Sequence, residues 1–351
     1  MTSPLPVNLR CAHFPACGGC DFLDLDEKSY RILKQNSLQQ LELEAEWIWV
    51  GAASRRRIIF QVDIRNRLGF FAKKSNEVVE INSCLVAKKE IANLILPLKN
   101  LLKNFEENVI EQIAATLFDN GVELIFSAKR ELNSSQIQKL STFAKEQNLN
   151  LFSRIKNHLT PISLVRKNQI FLQDLKINLD SETFLQATES GLAAIIKIIS
   201  QNLEPSQKVI DIYAGFGAYS FAICHLVKKV FAVEGSAQMV EIISKNAAAN
   251  QLCDKIKAET RDIFTNPLGT KELKNFDVAI INPPRNGGSP QVLEISKSNL
   301  KKVVYVSCNP QTFKRDCKIL TDANFVLKKL YALDQFYATK HLELIAIFEK
   351  F

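Results

Sequence analysis

The sequence predicts an α+β N-terminal and central domain containing a β-meander, followed by an α/β, Rossmann-like domain. Three observations lead there. The apolar pattern changes from short alternating runs to strand–helix–strand repeats after "FLQATESG". A Gly-rich turn, "VIDIYAGFGAYSFAI", joins a strand to a helix start. At 351 residues the chain exceeds what one hydrophobic core usually serves. The expected division is 1–175 and 176–351, set by the change of period and not by a linker.

In chain order, the first thirty or so residues show little regular pattern and carry Cys11, Cys17 and Cys20. A helix is expected over 28–44, where Tyr30, Leu33, Leu38 and Leu41 share one face. From Arg55 the period becomes two. Phe60, Val62 and Ile64 alternate with Gln61, Asp63 and Arg65, as in a half-buried strand. Turn residues from Asn66 to Gly69 lead into "GFFAKK" and "VVEI", and "GVELIFSAK" and "ISLVR" flank a helix at 135–147. In the second half the expected strands are "KVIDIY", "KKVFAVE", "IKAETRD", "FDVAIIN" and "KKVVYVS", with helices such as 236–250 and 289–300 between them. That alternation predicts a parallel sheet covered on both faces. "FVLKKLYALDQF" and "HLELIAIFEK" supply two closing strands.

Apolar residues make up 46% and charged residues 23%, the balance of a folded soluble chain. No apolar run approaches a membrane span, and the N-terminus lacks a secretory pattern, so a cytoplasmic protein with no membrane partner is expected. The net charge of +8 suits a polyanionic partner, although a lysine-rich background would also produce it. Arg55, Arg56, Arg57, Arg65, Arg67, Lys73 and Lys74 face a single acid, Asp63, within twenty residues. The functional reading assigns phosphate contacts to Arg55, Arg56 and Arg57. The bland reading is a solvated charged face.

Gly215 and Gly217 allow the backbone close to a ligand at the sheet's carboxyl edge. Ser220 stands where a dinucleotide fingerprint places its third glycine, which disfavours an NAD-dependent oxidoreductase. Glu234, at the end of the next strand, lies where a carboxylate accepts from ribose hydroxyls. An adenosine ligand without pyrophosphate, such as S-adenosylmethionine, fits this set. Asn282-Pro283-Pro284-Arg285 would form a stiff ledge beside it. Cys308 ends the neighbouring strand, where a thiolate could attack an electron-poor ring carbon. His341 and Glu343 open the last strand, and alternation puts both on one face near that thiol. A core cysteine and a solvated glutamate are the bland alternatives. Cys11, Cys17, Cys20 and the distant Cys84 supply four thiolates, suited to zinc or iron–sulfur. A single C-x2-C pair fits a [4Fe–4S] cluster better than zinc. Cys224, Cys253 and Cys317 fit no ligand spacing.

"SCNPQTFKRD", "FLQ" at 184–186, "DIYAGFGAYS", "NPPR" and "HLE" occur in one order. In that set the chain resembles the class I S-adenosylmethionine-dependent RNA (uracil-5-)-methyltransferases over nearly its whole length. The resemblance implies a class I methyltransferase catalytic domain after the central domain. It implies that Cys308 adds to carbon 6 of uracil, carbon 5 takes the methyl group, and Glu343 removes the carbon-5 proton. It implies a cofactor site lined by Gln186, Tyr213, Gly215, Glu234, Asp262 and Asn282. "CGGC" is similar to a branch of the family that acts on 23S rRNA and holds a [4Fe–4S] cluster. Asn282, where many relatives carry Asp, is also shared with a 23S rRNA branch. With Cys11 so early in the sequence, the N-terminal OB-like module of such enzymes is not expected, and the RNA grip is expected to fall on the central domain. The expectation is therefore a monomeric iron–sulfur enzyme acting on 23S rRNA. A tRNA uracil-5-methyltransferase, or a non-catalytic RNA-binding or RNA-folding protein on the same scaffold, is the alternative.

Overall fold

A computed structural model describes residues 10–105 and 108–350. Residues 1–9, part of the stretch read as lacking a secretory signal, lie outside the described residues. The first half runs α1 (Glu27–Gln39), β1 (Glu46–Trp49), β2 (Arg57–Val62), β3 (Leu68–Phe71), β4 (Val78–Glu80), α2 (Lys89–Ala92) and α3 (Ile95–Lys103). It continues through β5 (Ile110–Phe118), β6 (Gly121–Ala128), α4 (Ser134–Glu146), β7 (Asn150–Ile155), β8 (His158–Ser163), β9 (Asn168–Leu172) and β10 (Leu175–Leu179). Then come α5 (Glu189–Ser200), β11 (Lys208–Ile212), α6 (Ala218–Ile223), β12 (Lys229–Glu234), α7 (Ala237–Ala249), β13 (Ile256–Thr260), α8 (Thr270–Leu273) and β14 (Val278–Ile281). The chain closes with α9 (Ser289–Ser296), β15 (Lys302–Ser307), α10 (Pro310–Asp322), β16 (Phe325–Asp334) and β17 (Glu343–Lys350).

One sheet has seven strands in the order β4-β3-β2-β5-β6-β7-β8. Its first three strands are the expected antiparallel meander. The meander strand stops at Val62 rather than running through Ile64, which is 82% exposed. The Asp63 carboxylate accepts from the backbone N–H groups of Arg65 and Arg67 and folds the chain into a turn. α3 and α4 cover the inner face through Leu98, Leu102, Leu140 and Ala144.

The second sheet has eight strands in the order β1-β16-β17-β15-β14-β11-β12-β13. The five strands expected to be parallel, β11 to β15, are parallel. β17 lies antiparallel between β15 and β16. One face carries a core with α5, α6 and α7, the other a core with α9 and α10. Both cores are rich in Val and Ile, as a sheet buried on two faces requires. Residues 46–49, expected in the first domain, pair in parallel with β16 and form an edge of this sheet. Leu38 of α1 packs into the same core. The division at 175 therefore does not coincide with the division between the sheets. Among the described residues, no helix is long and apolar enough to cross a membrane.

Candidate active site

The Gly-rich loop leaves β11 with Tyr213 and Gly215 both left-handed, at φ 62° and 56°, and Gly217 at φ 83° caps α6. A Cβ at Gly217 would come within 3.0 Å of Ile243. Ser220, in place of a third glycine, donates its hydroxyl to buried Asp211 at 2.7 Å and its N–H at 3.2 Å. Burial still pushes the Asp211 carboxyl up to about 6. The Gly215 N–H donates to Glu234 Oε2 at 2.8 Å, which joins the loop to the tip of β12. Gln186 and Asn282 converge from opposite sides. Each donates to the Tyr219 hydroxyl, at 3.4 and 3.3 Å. Asp262 anchors its own turn by accepting from the Phe264 and Thr265 N–H groups. The Tyr213 ring packs 5.7 Å from Phe264, and its buried hydroxyl has no partner among the described residues.

Cys308 follows β15 directly. Asn309 caps α10 by accepting from the Gln311 N–H, and Pro310 occupies the first turn. The rest of that motif holds the loop after Asn282. Asn309 and Thr312 donate to the Arg285 carbonyl, and Arg315 donates to the Asn286 carbonyl. Asp316, fully buried, accepts from Gly288 N–H, Ser289 and Tyr305 at 2.6–2.8 Å. This lock brings the Arg285 side chain to Cys308. Burial and the nearby Glu343 charge push the Cys308 thiol up, and Arg285 opposes them.

Glu343 opens β17. Ser307 pairs with Leu344, so the antiparallel register sets the next residues, Cys308 and Glu343, opposite one another. Glu343 is buried, and burial pushes its carboxyl up to about 7 against a 2.9 Å hydrogen bond donated by Gln335. The shared face expected for His341 and Glu343 is not formed. The strand starts only at Glu343, and His341 is exposed in the preceding loop. A carboxylate near neutrality beside a thiol and a guanidinium can exchange a proton with a bound base.

One cavity of about 1210 Å³ joins Gln186, Tyr213, Glu234, Asn282, Cys308 and Glu343 to Arg55, Arg57 and the four cysteines. Its lining omits Arg56, and Arg56 corrects the expected arginine patch. It is 3% exposed and donates to the Gln186 carbonyl at 3.1 Å. Its guanidinium is turned inward to fix the cofactor-side segment, so it is not placed to meet a phosphate. Arg57 donates to the Leu185 carbonyl, with its guanidinium 4.3 Å over the Phe184 ring. Arg55 lies 5.6 Å over Phe336.

Cys11, Cys17, Cys20 and Cys84 are free thiols that line the cavity. Burial pushes Cys20 up to about 12, with Cys84, Cys17 and Cys11 adding to it. Gly18 packs so closely that a Cβ would sit 2.5 Å from the Phe71 carbonyl, which explains the first glycine of "CGGC". Among the described residues, no group of three or more His, Cys, Asp or Glu is gathered as a metal-holding set.

The family model described as tRNA (uracil-5-)-methyltransferase matches residues 55–351. The chain belongs to that family. The 23S rRNA (uracil(1939)-C(5))-methyltransferase RlmD of Vibrio parahaemolyticus is 30% identical over 97% of this chain and 81% of its own length. An uncharacterized RNA methyltransferase of Caulobacter vibrioides is 30% identical over 99% of this chain and 87% of its own length. The crystal structure of Pyrococcus abyssi tRNA (uracil-54, C5)-methyltransferase with S-adenosyl-L-homocysteine superposes with a TM-score of 0.76. It covers 95% of this chain and 86% of that one at 21% identity, a likeness of fold.

As a family member the protein is an S-adenosylmethionine-dependent RNA (uracil-5-)-methyltransferase, and its substrate is RNA. Sequence reasoning passed over Arg285 as a site residue although "NPPR" contains it. It also passed over Tyr219 and Gln335, whose contacts reach 33 and 149 residues along the chain to Gln186. No local pattern marks such contacts.

Proposed function

We propose that this enzyme forms 5-methyluridine in 23S rRNA. Cys308 forms a bond to carbon 6 of a uracil turned out of its stack, and the ring π electrons move toward carbon 5 and O4. Carbon 5 then bonds the methyl group of S-adenosylmethionine, releasing S-adenosylhomocysteine. Glu343 accepts the proton on carbon 5, the double bond returns, and the carbon–sulfur bond breaks to restore the thiolate. The Ser307–Leu344 register, which brings Cys308 beside Glu343, and Arg285 beside the thiol carry this reading. Gln186, Tyr213, Gly215, Glu234, Asp262 and Asn282 are the proposed cofactor contacts, supported by their common cavity. Arg55 and Arg57 are the proposed phosphate contacts. Residues 1–175, apart from α1 and β1 which join the catalytic sheet, are the proposed cluster and RNA-gripping part, and residues 176–351 the catalytic part, of a cytoplasmic monomer. The rRNA target is supported by the Vibrio relative's name. The tRNA reading is favoured by the family description and by the Pyrococcus neighbour.

Methyl transfer from labelled cofactor to total RNA of a strain lacking the gene, followed by site mapping, separates the two targets. Cys308→Ala should abolish transfer, whereas Glu343→Gln should accumulate a covalent RNA adduct on denaturing gels. Full activity in Cys308→Ala would sink the mechanism.

Cys11, Cys17, Cys20 and Cys84 are proposed to hold a [4Fe–4S] cluster, which would cross-link an irregular segment to the seven-stranded sheet. Their donor type fits, all four line one cavity, and Cys84, Cys17 and Cys11 lie near enough to Cys20 to act on its charge. Protein purified without oxygen should absorb broadly near roughly 400 nm and carry about four irons per chain. Colourless protein with one zinc would refute it.

A further inference from the structure

Gln335 follows β16 and is fully buried. Its Nε2 donates both to Glu343 Oε2 at 2.9 Å and to Gln186 Oε1 at 3.1 Å. Its Oε1 has no hydrogen-bond partner among the described residues. Gln186 passes the chain on to the Tyr219 hydroxyl, which also accepts from Asn282. One amide thus stands between the carboxylate opposite Cys308 and the wall that bears Gln186 and Asn282. An amide nitrogen has donors and no acceptor, so it matches an ionised carboxylate and offers nothing to a carboxylic acid O–H.

We infer that Gln335 is a positioning residue of the methyl-transfer reaction, holding Glu343 as an oriented carboxylate and coupling it to the cofactor wall through Gln186. The inference rests on the reading of Glu343 as the base. The titratable groups facing Glu343 are the Cys308 thiol from the end of β15 and the Tyr219 phenol from α6, with Arg285 at Cys308. Gln335 is the neutral donor that favours the charged form of Glu343.

Gly191, in the first turn of α5, gives a second handle on the same amide. A Cβ there would stand 2.6 Å from Gln335 Oε1. Gly191→Ala would therefore displace the amide while leaving residue 335 unchanged.

The test is the pH profile of single-turnover methyl transfer, with the covalent RNA adduct measured beside it. Gln335→Met and Gly191→Ala should both still form the adduct, because addition precedes proton removal. Their rate inflection should move up by about one pH unit, the effect of losing a hydrogen bond to a buried charge. The rate at pH 7 should then fall by about fivefold and recover at higher pH, with adduct accumulating at pH 7. Gly191→Ala also crowds the Thr188 cap of α5, at 2.6 Å. A lost cap would lower the rate without moving the inflection. If Gln335→Met does not fold, Gly191→Ala carries the test alone. Adduct-forming Gln335→Met that keeps the wild-type inflection overturns the inference, as does Gly191→Ala that keeps it while its unfolding midpoint, and so its α5 cap, is unchanged. Normal turnover by Glu343→Gln would instead overturn the choice of base, whatever Gln335 does.

Discussion

Glu343 is costly to the fold in the state its proposed role needs. Burial raises its carboxyl to about 7 from an ordinary value of 4.5. A carboxyl raised on folding stabilises the native state fully below the ordinary range, and that contribution is lost as pH rises through the folded value. Glu343→Gln should therefore be more stable than the parent on the order of 3 kcal/mol at pH 8, converging toward it near pH 4.5. Urea unfolding at both pH values checks this, and equal midpoints at pH 8 would contradict it. At this scale the sequence allows strand-tip residues to be read, because a parallel sheet puts successive tips at one edge. Asn282 and Cys308 follow adjacent strands for that reason. Arg56 shows where such reading stops. A run of three arginines looks like a charged face, yet the direction of each guanidinium depends on what packs above it. Here that is the Leu185 and Gln186 carbonyls, about 130 residues away.

The element that presents Cys308 is less a strand end than a clasp. α10 grips the loop from Asn282 to Gly288 through Asn309, Thr312, Arg315 and Asp316. Gly287 lies in the left-handed region at φ 82°, and a Cβ there would be 2.3 Å from Arg315 and 2.9 Å from Asp316. Gly287→Val should cost about 1–3 kcal/mol in unfolding experiments, from backbone strain plus steric displacement. It should lower adduct formation while leaving S-adenosylmethionine binding, measured by calorimetry, little changed. Loss of cofactor binding in place of adduct formation would mean that the clasp serves the other half of the site. The strands β11, β12, β14 and β15 are legible because they are largely apolar runs between turn signals. β5 is not, since a register shift between Ile110 and Gln112 breaks its alternation. β9 and β10 are joined through Gln173 at φ 55°, a hairpin turn without the glycine that would announce it. β1, at four residues, is too short to show a period.

Across the whole molecule, the N-terminal segment and the catalytic sheet meet at one buried carboxylate. Asp334, at the end of β16, accepts from the Tyr30 hydroxyl at 2.6 Å and pairs with Lys34 at 2.9 Å. Burial raises the Asp334 carboxyl and lowers the Lys34 amine, and the pairing opposes both shifts. Lys34 also donates to the His341 carbonyl, and the Ala338 carbonyl accepts from Asp21 and Phe22. The segment bearing Cys11, Cys17 and Cys20 is thereby stitched to the loop that begins at Gln335 and ends at Glu343. A buried pair adds little over apolar packing, but breaking it strands a charge. Lys34→Met should destabilise the chain by about 3–5 kcal/mol, and Lys34→Met with Asp334→Leu should recover much of that loss. Tyr30→Phe should cost less, because Lys34 would still face Asp334. Equal losses from Lys34→Met and the double variant would mean that the interaction is not the joint. The joint would then lie in the apolar contact of α1 through Leu38, and Leu38→Ala should carry the larger cost, about 2–5 kcal/mol.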